Sequence, residues 1–99
     1  MMLVPGFEWD ESKARVNLVK HGVSFDDAQA AFLDADRVIA EDLTHSGREP
    51  RFFCFGLVEG NVVTVRFTWR KGCIRIIGAG YWRKGKRIYE QENAKIHDR

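Results

Sequence analysis

The fold is decided by residues 51–79, which read RFFCFGLVEGNVVTVRFTWRKGCIRIIGA. Three runs rich in β-branched and aromatic residues are separated by two polar pairs, Glu59-Gly60 and Lys71-Gly72. A two-residue link ending in glycine between such runs is typical of a hairpin turn. The stretch therefore predicts three consecutive antiparallel strands, over 51–58, 61–70 and 73–79.

Alternation of side chains along these strands gives the sheet two unlike faces. With two residues in each turn, the register pairs Arg70 with Cys73, and Thr68 with both Arg75 and Arg51. One face then carries Thr68 and four arginines, Arg51, Arg66, Arg70 and Arg75. The other, which we expect helices to cover, carries the apolar side chains Phe52, Cys54, Val63, Val65, Phe67, Trp69, Ile74 and Ile76.

Two helices are predicted before the strands. Asp10 is a typical N-cap for a helix over 11–21 that ends at Gly22, and the helical period places Lys13, Asn17 and Lys20 on one stripe. Ser24 caps a second helix, with Asp27 as the partner in a short capping box. The buried face of this second helix is expected to contain Phe25, Ala28, Ala31, Phe32 and Ala35.

A short strand over 38–42 and a polar loop over 43–50 connect these helices to the hairpins. The predicted fold class is α+β, with two N-terminal helices packed on a mainly antiparallel sheet of four to five strands. A chain of 99 residues suits one domain, 1–99.

The charges are distributed unevenly. The net charge is only +2, but residues 60–89 contain eight Lys and Arg and no acidic residue, whereas residues 1–59 contain six basic and eleven acidic ones. A cationic segment of this size favours a polyanionic partner.

Two features strengthen this interpretation over that of an ordinary polar sheet face. The strands with the arginines contain no acid except Glu59, so we expect the arginines to lack ion-pair partners. The following segment, 81–89, interleaves four cations with aromatic residues, and such a mixture suits phosphates and unpaired bases.

Several classes of protein are excluded or disfavoured. No apolar run approaches the roughly 20 residues of a membrane span, and residues 1–5 lack the features of a signal peptide. Metal-binding and phosphate-loop motifs are absent, so no metal or cofactor is expected. Cys54 and Cys73 are expected to be buried free thiols, and the protein to be cytoplasmic.

Histidines are the candidates for acid–base chemistry, because histidine titrates near neutral pH. His45 lies in the loop before the strand that begins at Arg51, with Glu49 as an orienting partner or second base. His21 is the alternative, although a histidine at a helix C-terminus also has a purely structural explanation.

The chain resembles the BrnT family of bacterial toxins from about residue 7 to residue 90. The resemblance is carried by Phe7-Glu8-Trp9-Asp10, Lys13, Asn17, Lys20-His21-Gly22-Val23-Ser24-Phe25, Ala28, Phe32, the loop from Asp42 to His45-Ser46, Glu49, Arg51-Phe52, Gly56, Phe67-Thr68, Arg70, Gly72, Ile74-Arg75-Ile76-Ile77, Arg87, Tyr89 and Glu90.

This resemblance implies a ribonuclease toxin of a type II toxin–antitoxin pair, with a RelE-like fold that includes a C-terminal helix and with translation as its target. The implied partners are RNA and an antitoxin similar to the BrnA proteins, which are ribbon-helix-helix DNA binders. Toxin and antitoxin would form a heterotetramer that contacts promoter DNA only through the antitoxin, and no membrane would be involved.

Two positions depart from the family pattern. Gly80 stands where such toxins usually have arginine, and Lys86 stands where an acid is typical. These departures predict a weakened activity, and Gly80 and Gly85 are expected to loosen the start of the last helix by about 1 kcal/mol each.

Metal-independent RNA cleavage requires a base, an acid and cations at the phosphate. For these roles we predict His45, Glu49, Arg51, Arg70, Arg75, Lys20 and His21. For RNA binding we predict Arg66, Trp82, Arg83, Lys84, Lys86, Arg87 and Tyr89, with Trp82 and Tyr89 contacting bases. Two alternatives remain open: an inactive homologue that binds an antitoxin or nucleic acid, and a small α+β domain whose basic face only keeps it in solution.

Overall fold

The computed structural model describes residues 6–97 of the 99-residue chain. The elements, in chain order, are β1 (Phe7–Glu8), α1 (Glu11–His21), α2 (Phe25–Ala28), a 3-10 helix (Gln29–Leu33), β2 (Val38–Glu41), β3 (Phe52–Val58), β4 (Asn61–Arg70), β5 (Cys73–Gly80) and α3 (Arg83–His97). The five strands form one sheet in the order β1-β5-β4-β3-β2, in which only the β1–β5 pairing is parallel. The predicted α+β class is confirmed.

Both hairpin turns have the predicted length. Glu59 and Gly60 have φ angles of 50° and 85°, and Lys71 and Gly72 have 52° and 79°. Positive φ at both central residues matches the right-handed twist of the flanking strands. The turns therefore fix the register that the sequence predicts, with Arg70 opposite Cys73 and Thr68 opposite Arg75.

The predicted helix caps are also confirmed. A carboxylate oxygen of Asp10 accepts a hydrogen bond from the Lys13 amide at 3.1 Å, and the Ser24 hydroxyl accepts one from the Asp27 amide at 3.0 Å. Gly22 ends α1 with a φ of 70°. The second helix is shorter than predicted, because α2 continues only as the 3-10 helix.

The prediction that Ala35 is buried is wrong: the residue is exposed. The helical path ends at Asp34, whose backbone is extended and whose carboxylate accepts amide hydrogen bonds from Asp36 at 2.9 Å and from Leu57 at 2.8 Å. These bonds turn the chain towards β2 before it reaches Ala35.

The core lies between the apolar face of the sheet and α2 with its 3-10 extension. Its buried members are Val23, Phe25, Ala28, Ala31, Cys54, Val63, Val65, Phe67, Ile74, Ile76 and Ala79. Gly56 permits a close approach here, since a Cβ at this position would lie 2.3 Å from the carbonyl oxygen of Ala31. Cys54 and Cys73 are both free thiols, and burial raises the pKa of Cys54 to about 12.

The sheet face that carries Arg51, Arg66, Arg70 and Arg75, which we call the arginine face, is also partly covered. The sequence did not predict this cover. Helix α3 packs across β4, β3 and β2 on this face. At the closest point a Cβ on Gly85 would overlap the Thr64 hydroxyl and lie 3.0 Å from the Phe55 ring. Gly85 is thus a contact point of α3 with the sheet, whereas Gly80 ends β5 and is not helical, so the expectation that Gly80 loosens the last helix is wrong.

Helix α1 is attached to β5 through Asn17. The side-chain amide of Asn17 donates to the Ala79 carbonyl at 2.9 Å and to the Val23 carbonyl at 3.0 Å, and its oxygen accepts from the Ala79 amide at 3.2 Å. These buried bonds position α1 beside the arginine face. Among residues 6–97, no helix combines the length and the hydropathy that crossing a bilayer requires.

Candidate functional site

A cleft of about 850 Å³ lies on the arginine face between α1 and α3, and we call it the main cleft. Helix α1 forms one wall with the predicted stripe Lys13, Asn17 and Lys20. The opposite wall is formed by Lys84, Gly85 and Ile88 of α3, the floor includes Phe53, Phe55, Thr64, Arg66 and Ile77, and His21 and Trp82 also line it.

The lining of the main cleft is cationic around an apolar floor. It contains Lys13, Lys20, Arg66 and Lys84, against Glu41 as the one carboxylate among the described lining residues. The Arg66 guanidinium lies 6.0 Å from the centre of the Phe53 ring, which β-sheet pairing places directly opposite. A cationic cleft with aromatic walls attracts polyanions that also carry flat apolar groups.

The prediction that the arginines lack ion-pair partners is wrong for Arg66, Arg70 and Arg75. Arg75 contacts Glu8 at 2.7 Å, Arg70 contacts both carboxylate oxygens of Glu49, and the Nε atom of Arg66 lies 3.8 Å from Asp42. The acids come from β1 and from the β2–β3 loop, which are distant in sequence, so a search along the same strands could not find them.

Arg51 and Arg75 lie on either side of Thr68. Arg75 is paired with Thr68 between β4 and β5. Phe52 is paired with Phe67 between β3 and β4, so one residue further along this register Arg51 lies opposite Thr68. The Thr68 hydroxyl donates to the Pro50 carbonyl at 2.7 Å, which holds the loop against the sheet. Two guanidinium groups are therefore presented on one row of the face.

The His45 ring is oriented by Asp42. Glu49, which we predicted as an orienting partner or second base, does not have this role. The Nδ1 atom of His45 lies 3.1 Å from Oδ2 of Asp42, while 55% of the histidine side chain is exposed. Asp42 is buried, which by itself raises its pKa, but hydrogen bonds from the His45 ring and from the amides of His45 and Thr44 outweigh burial and lower this pKa. Because the carboxylate contacts Nδ1, the other ring nitrogen, Nε2, is the one left for a substrate.

Glu49 is engaged elsewhere. Its oxygens lie 2.9 and 3.2 Å from two nitrogen atoms of Arg70, in a bidentate pair. The hydrogen bonds from Arg70, followed by the charges of Arg70, Arg51 and Arg75, hold the pKa of Glu49 below its usual value. A carboxylate with a low pKa that is already bonded to a guanidinium is a weak base.

Trp82 lines the main cleft and lies next to His21 and Gly80. Its ring centre lies 5.1 Å from that of His21, in an edge-to-face arrangement. A Cβ on Gly80 would lie 2.7 to 2.9 Å from three consecutive ring atoms, Cζ2, Cη2 and Cζ3. The indole thus occupies the space that any side chain at position 80, including the arginine expected from the family pattern, would need.

The remaining predicted RNA-binding residues lie on α3 in different environments. Arg83 and Lys86 line a second cleft, described below, and Arg87 is exposed. Tyr89 does not offer its ring to a base: it is buried, and its hydroxyl donates to Oδ2 of Asp34 at 2.6 Å. This corrects the expectation for Tyr89, since the bond anchors α3 to the turn before β2.

The structure thus brings Lys20, His21, Arg66, Trp82 and Lys84 together around one cleft. His45 joins this group through Asp42, which contacts both His45 and Arg66. Arg51, Arg70 and Arg75 follow on the same face. Asp42 and Lys13 were not among the predicted site residues. An acid three positions before His45 is a signal for a turn that returns to the histidine.

No metal-binding cluster was found among residues 6–97, where no group of three or more His, Cys, Asp or Glu side chains is close enough to hold an ion. The ionic groups that face the cleft are mainly the ammonium and guanidinium groups described above.

The chain matches the model of a known protein family. Residues 9–85 match the family model described as "Ribonuclease toxin, BrnT, of type II toxin-antitoxin system". This range begins at Trp9, just before α1, and ends at Gly85, where α3 contacts the sheet. The comparison with curated proteins finds no match.

Proposed function

The chain belongs to the BrnT family of ribonuclease toxins of type II toxin–antitoxin systems, and we propose that it cuts RNA internally, without a metal ion, and thereby inhibits translation. Its family implies an RNA substrate and a protein antitoxin. The observation that carries the proposal is the main cleft, where cations from α1, the sheet and α3 face an apolar floor.

The cations provide the electrostatic part of the proposed reaction. Cleavage at a phosphodiester places additional negative charge on the phosphate oxygens, and fixed positive groups stabilise that charge. Lys20 and Arg66 line the main cleft, and Arg51, Arg70 and Arg75 follow on the same face. The ion pairs of Arg70 with Glu49 and of Arg75 with Glu8 are partly exposed, and such pairs contribute about 1 kcal/mol or less, so a phosphate is able to replace these two carboxylates.

His45 is the proposed general base or acid. Its ring is oriented by Asp42, whose carboxylate also lies 3.8 Å from Nε of Arg66, so His45 is close to the arginine face. In the base role, Nε2 accepts the proton of the ribose 2′-hydroxyl while the 2′-oxygen attacks the adjacent phosphorus. The bond from phosphorus to the 5′-oxygen breaks, which leaves a 2′,3′-cyclic phosphate, and the 5′-oxygen takes a proton from water or from a general acid. His21, beside Trp82, is the second candidate for proton transfer, and Glu49 is disfavoured by its pair with Arg70.

The proposed antitoxin is similar to BrnA, forms a heterotetramer with this toxin and links it to promoter DNA. An acidic partner complements the cationic face, and covering the main cleft would block RNA. Because translation is the proposed target, the cytoplasm is the proposed site of action.

A second candidate function is that of an inactive homologue that only binds. It is favoured by Gly80 and Lys86, which replace the arginine and the acid of the family pattern. The Trp82 indole occupies the space that an arginine at position 80 would need. No positive charge therefore replaces that arginine at this point.

One experiment separates the two. Purified protein is incubated with RNA in the presence of EDTA, and cleavage is compared between the wild type and Arg75→Ala, with Arg48→Ala in the exposed loop as a control. We expect wild-type cleavage that Arg75→Ala abolishes and Arg48→Ala preserves. Salt-sensitive RNA binding without cleavage by the wild type would support the inactive homologue instead.

A further inference from the structure

A second cleft, of about 660 Å³, lies on the other side of Trp82. It is bounded by the β3–β4 hairpin and the first two turns of α3, and its lining includes Asn61, Trp82, Arg83, Lys86 and Glu90. Trp82 lines both clefts, so its indole separates them.

The position of the Trp82 indole requires glycine at position 80, because a side chain there would overlap the ring. A Cβ there would be nearly equidistant from three consecutive ring atoms, which means that Gly80 faces the plane of the ring and not its edge. One face of the ring is therefore covered by the end of β5, while 42% of the side chain stays exposed. A fixed, partly exposed indole is a stacking surface that costs little conformational entropy to use.

The cations at the start of α3 are divided between the two clefts. Lys84 lines the main cleft, whereas Arg83 and Lys86 line the second, where Glu90 is the one acidic residue of the described lining. Positive charges in the first turn of a helix oppose its dipole, so the stability of α3 does not explain them. Their distribution instead gives each side of Trp82 its own positive groups.

We propose that the second cleft is a further nucleotide-binding subsite, and that Trp82 stacks on a base of a single-stranded RNA that passes from the main cleft into it. A single strand alternates a flat base with an anionic phosphate, which matches an indole between two cationic clefts. The bases of a duplex are stacked on one another and do not present a free face to Trp82. This inference rests on the proposed function, because it takes RNA as the ligand.

The test measures binding of labelled oligonucleotides by fluorescence anisotropy. The probes are a short single strand that fills only the main cleft, a longer one that reaches both clefts, and the longer strand annealed to its complement. We expect Trp82→Ala to weaken binding of the longer strand about fivefold to a hundredfold, with Trp82→Phe retaining part of the affinity. The duplex should bind more weakly than the single strand and should be insensitive to Trp82→Ala.

The second cleft is tested by the double variant Arg83→Ala/Lys86→Ala. It should weaken binding of the longer strand and flatten its salt dependence, by a slope of about 0.7 for each lost phosphate contact, while binding of the short strand stays unchanged. Equal effects on both strands, or no effect on either, would overturn the inference.

The positioning role of Gly80 has its own matched pair of variants. Gly80→Ala forces the indole to move and should weaken binding of the longer strand as Trp82→Ala does, although the indole is still present. Gly6→Ala, outside both clefts, is the control, since its Cβ would make only an ordinary contact with Sγ of Cys73, at 3.4 Å. Equal affinity of the two variants would refute the role of Gly80.

If no RNA is bound or cut by the wild type, the proposed function itself fails, which is a different result from a failure of the second cleft alone.

Discussion

The Nδ1 atom of His45 lies 3.1 Å from Oδ2 of Asp42, a buried carboxylate that also lies 3.8 Å from Nε of Arg66 in the floor of the main cleft. One acid thereby connects the candidate proton-transfer group to the candidate phosphate-binding face. The same carboxylate fixes the loop that carries His45, because it accepts hydrogen bonds from the backbone amides of Thr44 and His45.

The first prediction concerns this carboxylate. Asp42→Asn keeps an acceptor oxygen for the loop amides but removes the charge that orients the His45 ring, so we expect RNA cleavage to fall substantially with little change in RNA affinity. His45→Ala should lose about a hundredfold or more, the usual contribution of general acid–base catalysis. Single-turnover cleavage measures both. Asp26→Asn, which removes an exposed acid outside both clefts, is the control, and equal activity of Asp42→Asn and Asp26→Asn would exclude Asp42 from this role.

The second prediction separates an ion-pair role of Glu49 from a catalytic one. If Glu49 only neutralises Arg70, Glu49→Gln should keep full cleavage activity and should bind RNA more tightly, by less than about tenfold, because exposed ion pairs contribute about 1 kcal/mol or less. Glu59→Gln in the β3–β4 turn serves as the charge-matched comparison. A large loss of cleavage in Glu49→Gln alone would restore Glu49 as a base.

The third prediction concerns the bond between Tyr89 and Asp34. Burial alone raises the pKa of Asp34, but the Leu57 amide, the Tyr89 hydroxyl and the Asp36 amide together lower it. Tyr89→Phe should therefore lower the free energy of unfolding by about 1.5 to 3 kcal/mol, the usual range for a hydrogen bond to a charged group.

The same bond predicts a dependence on pH. A lowered pKa means that the ionised Asp34 stabilises the folded state above its ordinary pKa, and that this stabilisation is lost as the pH falls through the lowered value. The difference in stability between the wild type and Tyr89→Phe should thus be largest near neutral pH and shrink in acid. Urea denaturation over this range tests it, with the exposed Tyr81→Phe as control; a difference that grows in acid would contradict the assignment.

The fourth prediction concerns Gly85. Alanine normally stabilises a helix by about 1 kcal/mol relative to glycine, but here its Cβ would overlap the Thr64 hydroxyl. We expect Gly85→Ala to destabilise the protein by about 1 to 3 kcal/mol, as overpacking usually does. The Thr64 hydroxyl has no hydrogen-bond partner among the described residues, so Thr64→Ala should restore part of the loss. Thermal denaturation of the single and double variants measures this coupling.

The strands β2 to β5, their turns and the first helix could be predicted from the sequence because their signals are local, whereas the two-residue strand β1 was not predicted. A glycine with positive φ in each turn, the caps at Asp10 and Ser24, and the alternation along β4 each depend on residues within a few positions. Alternation also placed Arg66, Arg70 and Arg75 on one face correctly, since the side-chain period of a strand has no alternative once the turns are fixed.

Only the tertiary structure decided what meets those side chains. Glu8, Asp42 and Glu49 reach the arginines from other elements, and Tyr89 is withdrawn from the surface by Asp34, 55 positions away. The position of α3 on the arginine face, which creates both clefts, depends on the fit of Gly85 against Thr64 and Phe55. The sequence by itself thus determined which side chains share a face, because strand geometry is periodic, whereas partners and clefts depend on packing between distant segments, for which the sequence has no local signal.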